Sequence, residues 1–264
     1  MAYKYKLGII GCGNMAEAIL SQITWEEYIP KDEIIVSDAD FIKSRNFADK
    51  FDVSVAKDNL EVVLNSEYIL LAVKPQSIYD LNISGAKINC LISIITRVSV
   101  DTLGKQFKPD KTVRIIPNTP AAVGEGMSAI YFAGCDDNDK KFINELFGTV
   151  GKVVEIEENQ FNAVTAVSGS GPAYVYYFIE SLVRAGEKQG LTYKQSLELA
   201  VQTVKGAAIL AETSHLTLNE MIDKVCSPGG TTVEAMKVFK AKNIDKIIEE
   251  AVAAAAKRSK ELGK

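Results

Sequence analysis

Gly11-Cys12-Gly13-Asn14-Met15-Ala16 constrains the fold of this 264-residue chain more than any other stretch. Leu7, Ile9 and Ile10 before it form a short apolar run of the kind buried in a parallel sheet, and Ala16, Ala18, Ile19 and Ile23 follow at helical spacing. The spacing predicts strand, tight turn, helix. In Gly11-x-Gly13-x-x-Ala16 the first glycine permits the turn, the second leaves room for a pyrophosphate against the backbone, and small Ala16 lets helix and strand approach. The free amides of the first helical turn, Asn14 and Met15 among them, then face the phosphates with the positive end of the helix dipole. A purely structural turn is the alternative. The flanking elements, and Asp38 at the end of the next apolar run, point instead to dinucleotide binding.

Along the chain, Glu33 to Asp38 predicts the second strand and Phe41 to Phe51 its helix. Asp38 then stands where the adenosine ribose is expected; a carboxylate there accepts from both ribose hydroxyls and repels a 2′-phosphate, which favours NAD. Its alternative role is an N-cap for the helix that follows. Val53 to Val55 is a short third strand, Asn59 to Leu64 a short helix, and Glu67 to Val73 a strand apolar enough to be buried on both faces. Ala72, Val73 and Lys74 are candidate cofactor positions because ligands of a doubly wound sheet bind at the carboxyl ends of strands beside the first, and Ser37, Asn59 and Pro75 are named with them. Lys74 either meets a phosphate or substrate or simply leaves a buried strand. Asn89 to Ile95 and Thr112 to Ile116 make further strands, and Pro117-Asn118-Thr119-Pro120 is a stiff loop in which Asn118 offers hydrogen bonds to a ligand or to a plain turn. Gly126 to Phe132 and Lys152 to Ile156 flank a helix over Asp137 to Phe147. This alternation predicts an α/β domain with a parallel sheet over residues 1–158.

Beyond Glu158 no strand is predicted, and residues 159–264 read as an all-α domain with helices near Phe161 to Val167, Ala173 to Gln189, Tyr193 to Thr213, Leu218 to Val225, Thr232 to Phe239 and Ile244 to Glu261. Tyr174, Val175, Tyr176, Tyr177, Phe178 and Ile179 leave almost no polar face, and a small helical domain cannot enclose such a helix alone. A subunit interface is expected to cover it. Two glycine-rich segments stand in this half. Val167-Ser168-Gly169-Ser170-Gly171-Pro172 reads as a turn into the apolar helix, either ligand contact or close-packed corner. In Cys226-Ser227-Pro228-Gly229-Gly230-Thr231-Thr232, Gly229 and Gly230 expose backbone amides ahead of a helix, and Ser227, Thr231 and Thr232 add hydroxyls, a nest suited to a carboxylate. A capped turn is the alternative.

A net charge of −4 gives no general attraction to nucleic acid or anionic membrane, so small molecules are the expected partners. Four scattered cysteines and one histidine form no metal-binding spacing, and no apolar run approaches the ~20 residues of a membrane span. With a first strand so near the start there is no room expected for a signal peptide, and a soluble cytoplasmic protein with free thiols is the expectation.

Gly11 to Ala16, Ala72-Val73-Lys74-Pro75-Gln76, Arg114 to Pro120, Ser168 to Tyr174 and Ser227 to Thr232 occur in an order and spacing that resembles the pyrroline-5-carboxylate reductase family over nearly the whole chain. The resemblance implies reduction of 1-pyrroline-5-carboxylate to proline by NADPH or NADH, an N-terminal Rossmann domain, and a C-terminal helical domain that interlocks with its partner in a homodimer. It also implies that the hydroxyl of Thr232 meets the imine nitrogen and that the backbone around Gly229, Gly230 and Thr231 holds the substrate carboxylate. Two positions depart from the pattern: Thr96-Arg97 stands where many members have Ala-Gly, and Asp38-Ala39 where NADPH-preferring members often offer arginine or hydroxyl groups.

His215 is the chain's one histidine and falls in an inter-helix turn, so an acid–base dehydrogenase built on histidine is disfavoured. A cyclic imine needs no such base, because its protonated C=N carbon is already electrophilic. The alternatives are a β-hydroxyacid dehydrogenase-like enzyme and a non-catalytic dinucleotide-binding regulator.

Overall fold

The structure, a computed structural model, describes residues 3–83 and 85–263. Short, largely apolar runs build an eight-stranded sheet from β1 (Tyr5–Ile10), β2 (Ile34–Ser37), β3 (Ser54–Val55), β4 (Ser66–Leu71), β5 (Cys90–Ser93), β6 (Lys111–Ile116), β7 (Gly126–Ala133) and β8 (Gly151–Glu155), in the order β3-β2-β1-β4-β5-β6-β7-β8. The order reverses at β1, between β2 and β4, which opens the crevice where dinucleotides bind.

The strands through β6 are parallel, as expected. The last two are not: β7 runs antiparallel to β6, and β8 follows β7 in parallel. Only a short link, containing the 3-10 turn Thr119–Val123, joins β6 to β7, whereas a parallel return needs a crossover of a dozen residues or more.

Successive side chains of a strand face opposite sides, so β1 feeds two cores. Leu7 and Ile9 pack with α1 (Asn14–Trp25), α2 (Phe41–Phe51) and α5 (Asp137–Gly148) through Ile19, Ile23, Phe47 and Phe147. Ile10 faces the other way, with Val62 of α3 (Asn59–Asn65) and Leu103 and Phe107 of α4 (Val100–Phe107).

At the amino-terminal edge of the sheet, Asp139 is buried. It accepts from the Tyr68 hydroxyl at 3.0 Å and the Asp136 amide at 3.0 Å, and pairs with Lys111.

The compact units divide at Ser170, whereas strands stop at Glu155, near the expected division between 158 and 159. The first unit therefore keeps α6 (Phe161–Val164), whose Phe161 ring lies 4.2 Å from the buried Arg114 guanidinium. It also regains the chain from Ala255, where Ser259 reaches Asn162 at 2.8 Å. Ser168-Gly169-Ser170 is no loose turn: Thr165–Gly169 is π-helical and runs almost directly into α7 (Gly171–Lys188).

The second unit, Gly171–Ala254, holds all of α7, α8 (Tyr193–Thr213), α9 (Leu218–Val225) and α10 (Thr231–Ala241) and the start of α11 (Ile244–Leu262). Close contact of α7 and α8 is set by Gly186, where a Cβ would come within 2.6 Å of the Ser196 hydroxyl. Of its large apolar side chains, Val183 is buried, while Tyr174, Val175, Tyr176, Tyr177 and Phe178 lie open, Tyr177 at 78%. An apolar surface of this extent marks a protein interface. No helix among the described residues is long and apolar enough to cross a membrane.

Candidate active site

The candidate dinucleotide crevice opens at the carboxyl ends of β1, β2 and β4. Gly11 has φ +103°, and a Cβ on it would sit 2.7 Å from the Ala72 carbonyl oxygen, so only glycine lets β1 turn here beside β4. Gly13 differs. Its backbone is extended and a Cβ would meet nothing within 4 Å, which leaves an open cradle in front of α1. Gly13 is also the N-cap of α1, and no side chain caps that end, so the amides of Asn14 and Met15 remain available to an anion. A cradle that a side chain would fill, facing uncapped amides, fits a pyrophosphate.

Around this turn the chain draws together most of the residues expected from the sequence. Gly11 donates its amide to the Ser37 carbonyl at 2.8 Å, Ala72 donates to Ile10 at 2.8 Å, and the Ser37 hydroxyl donates to Asn59 Oδ1 at 2.8 Å. Val73 Cγ1 lies against Gly11. Lys74 follows, exposed, as the N-cap of a 3-10 turn that Pro75 begins.

Asp38 does not cap α2; Asp40 does, accepting from Ile42 and Lys43. Asp38 instead accepts from the Cys12 amide at 2.8 Å, the Lys43 ammonium at 2.9 Å and the Asp40 amide at 3.1 Å. Burial alone would raise its pKa, but these donors outweigh it and hold the carboxyl below its ordinary range. The neighbouring Cys12 thiol is pushed up to about 12 by burial and by Asp38, so it stays protonated.

Asn118 sits at the same sheet edge, beyond β6, with its amide committed to the protein. It donates to the Ser168 carbonyl and hydroxyl at 3.3 and 3.2 Å and accepts from Met127 at 2.9 Å, fastening the π-helical segment to the start of β7.

In the second unit, Gly229 at φ +72° turns the chain after α9, and Gly230 donates to the Ser227 carbonyl at 2.9 Å. Gly230 is the N-cap of α10, with no side-chain cap, so Thr231 and Thr232 begin a helix whose first amides are open. Thr232 is thus not the cap, and it stands half-buried in the first turn of α10. Ser227 is exposed at the rim. His215 lies exposed between α8 and α9.

One residue escaped the sequence reading. Lys43, on the first turn of α2, pairs with Asp38; a basic residue so soon after the predicted ribose carboxylate was the available signal. Arg97 is exposed with φ +70°, the left-handed region where glycine, found there in many members of the family it resembles, is unstrained.

The profile for pyrroline-5-carboxylate reductase dimerisation matches residues 158–262, and that for coenzyme F420-dependent NADP oxidoreductases matches residues 6–97. Pyrroline-5-carboxylate reductases of Synechocystis and Arabidopsis thaliana are 42% and 35% identical to the chain, the first over 98% of both proteins, the second over 99% of this chain and 96% of its own. The solved reductase of Coxiella burnetii superposes with a TM-score of 0.91 at 32% identity over 99% of each chain. That of Plasmodium falciparum, with NADP bound, superposes at 0.85 and 30% identity over the full length of both. An uncapped glycine turn at β1, a second before α10 and this end-to-end similarity agree, and the chain belongs to the pyrroline-5-carboxylate reductase family.

Proposed function

We propose that the protein reduces 1-pyrroline-5-carboxylate to L-proline with NADH or NADPH, the last step of proline synthesis, as a cytoplasmic homodimer joined through its helical region. Family membership over the whole chain supports the reaction. The observation that carries the site is the start of α10, where Gly230 rather than a side chain caps the helix and Thr232 keeps a hydroxyl free of capping duty.

A bound reduced nicotinamide supplies the hydride. The chain's own groups bind and orient. Gly11, Gly13, Asn14 and Met15 hold the pyrophosphate; Ser37, Asp38 and Asn59 line the adenosine side, and Ala72, Val73, Lys74 and Pro75 the opposite wall. The amides at Gly229, Gly230 and Thr231, with the Ser227 hydroxyl at the rim, hold the substrate carboxylate. The Thr232 hydroxyl meets the ring nitrogen, donating to the neutral imine or accepting from the iminium. In the iminium form hydride adds to the C=N carbon, the π electrons become the nitrogen lone pair, and the nitrogen keeps the proton it already carries as N–H. With no alcohol to deprotonate, alignment supplies most of the rate. Asn118 acts by holding Ser168 and the start of β7 at the same edge rather than through a free amide.

Thr232→Ala tests the assignment. Turnover should fall at least about tenfold, the effect of ~1.4 kcal/mol of lost transition-state interaction, with dinucleotide affinity nearly unchanged. Normal turnover with a lowered melting temperature would make Thr232 merely structural.

A further inference from the structure

We infer that this chain selects NADH over NADPH through Asp38, and that Lys43, held by Asp38, is a masked site for a 2′-phosphate. The inference rests on the reading that the dinucleotide lies across the Gly11–Ala16 turn.

β2 lies beside β1 on the side away from β4, with Ser37 opposite Ile10, so the residue after Ser37 borders the adenosine half of the crevice. Asp38 is fixed there by three donors. Its Oδ2 takes both the Cys12 amide and the Lys43 ammonium, while Oδ1 takes the Asp40 amide alone and keeps accepting capacity. The bond to Cys12 ties the carboxylate to the glycine turn itself. Its side chain is 14% exposed, and the depressed pKa keeps it ionised at neutral pH.

Ribose hydroxyls are donors and suit such an acceptor. A 2′-phosphate brings about two negative charges and no donor at neutral pH. It would meet Asp38 and the neighbouring Asp40, whose carboxylate caps α2, against one ammonium that is already paired. Lys43 is 48% exposed and stands on the first turn of α2, so it becomes available to a phosphate once Asp38 is removed.

Titration of the purified full-length protein with NADH and NADPH, followed by dinucleotide fluorescence, reads the preference without turnover. The wild type should bind NADH at least tenfold tighter. Asp38→Ser should bring NADPH to within about threefold of NADH or past it, and Lys43→Ala added to Asp38→Ser should weaken NADPH at least fivefold while leaving NADH within twofold. Should Asp38→Ser fail to fold, Lys43→Ala alone decides, since it should widen the wild-type preference. A wild type that binds NADPH as tightly as NADH, or a Lys43→Ala variant with a narrowed preference, overturns the inference. Saturation by neither dinucleotide would overturn the proposed cofactor site and the inference with it.

Discussion

At Gly13 the physical argument is a matter of empty space. A Cβ there meets no heavy atom within 4 Å and the backbone is extended, so Gly13→Val should fold normally. Its side chain would occupy the pyrophosphate cradle, and dinucleotide affinity should fall at least a hundredfold in a fluorescence titration, with an unchanged melting temperature. Asp38 carries the opposite kind of signature, a charge stabilised by the fold. Its folded-state pKa lies below the unfolded value, so the carboxylate contributes stability that is present above the ordinary carboxylate pKa and lost as pH falls through the folded value. In denaturant titrations from about pH 6 to about pH 3, the stability gap between wild type and Asp38→Asn should therefore shrink steadily. The glycine turn at Gly11, the strand end before Asp38 and the turn at Gly229-Gly230 were legible in sequence as local structure: a turn, a strand end, a helix start. Lys43 and the bonds of Asn118 were not, since they depend on where side chains of separate elements meet.

Apolar runs told where strands lie, and every one from Leu7 to Ile156 forms. They say nothing of direction, and the reversal of β7 is invisible in its residues; it follows from the short link after Ile116. Ser168-Gly169-Ser170 read as a turn because serine and glycine favour turns, yet the segment is held in a π-helical path by tertiary bonds, including the one from Asn118. The clearest fastening between elements is Asp139. Buried at the amino-terminal edge of the sheet, it joins β4 through Tyr68, β6 through Lys111 and the N-cap of α5. Asp139→Ala leaves the Lys111 ammonium and Tyr68 hydroxyl without this partner and should cost about 3 kcal/mol in urea denaturation. Dinucleotide affinity should be unaffected, because the crevice lies at the opposite edge.

The helical region is explained by a second copy of the chain rather than by its own packing. Its sequence foretold an interface, since the Tyr174 to Ile179 stretch is apolar all round, and in the chain alone Tyr174 to Phe178 lie open. Burying it makes association part of the folded state. Sedimentation should show at least a dimer at every accessible concentration, and Tyr177→Glu should shift the protein toward monomer with loss of turnover and solubility; a stable, active wild-type monomer would contradict the interface. What the whole chain does is tested most directly by mixing the pure protein with pyrroline-5-carboxylate and reduced dinucleotide and measuring dinucleotide consumed against proline formed. The two should match mole for mole, with no consumption when the imine is omitted. Absence of imine-dependent consumption, or turnover of β-hydroxyacids in its place, would contradict imine reduction as the function.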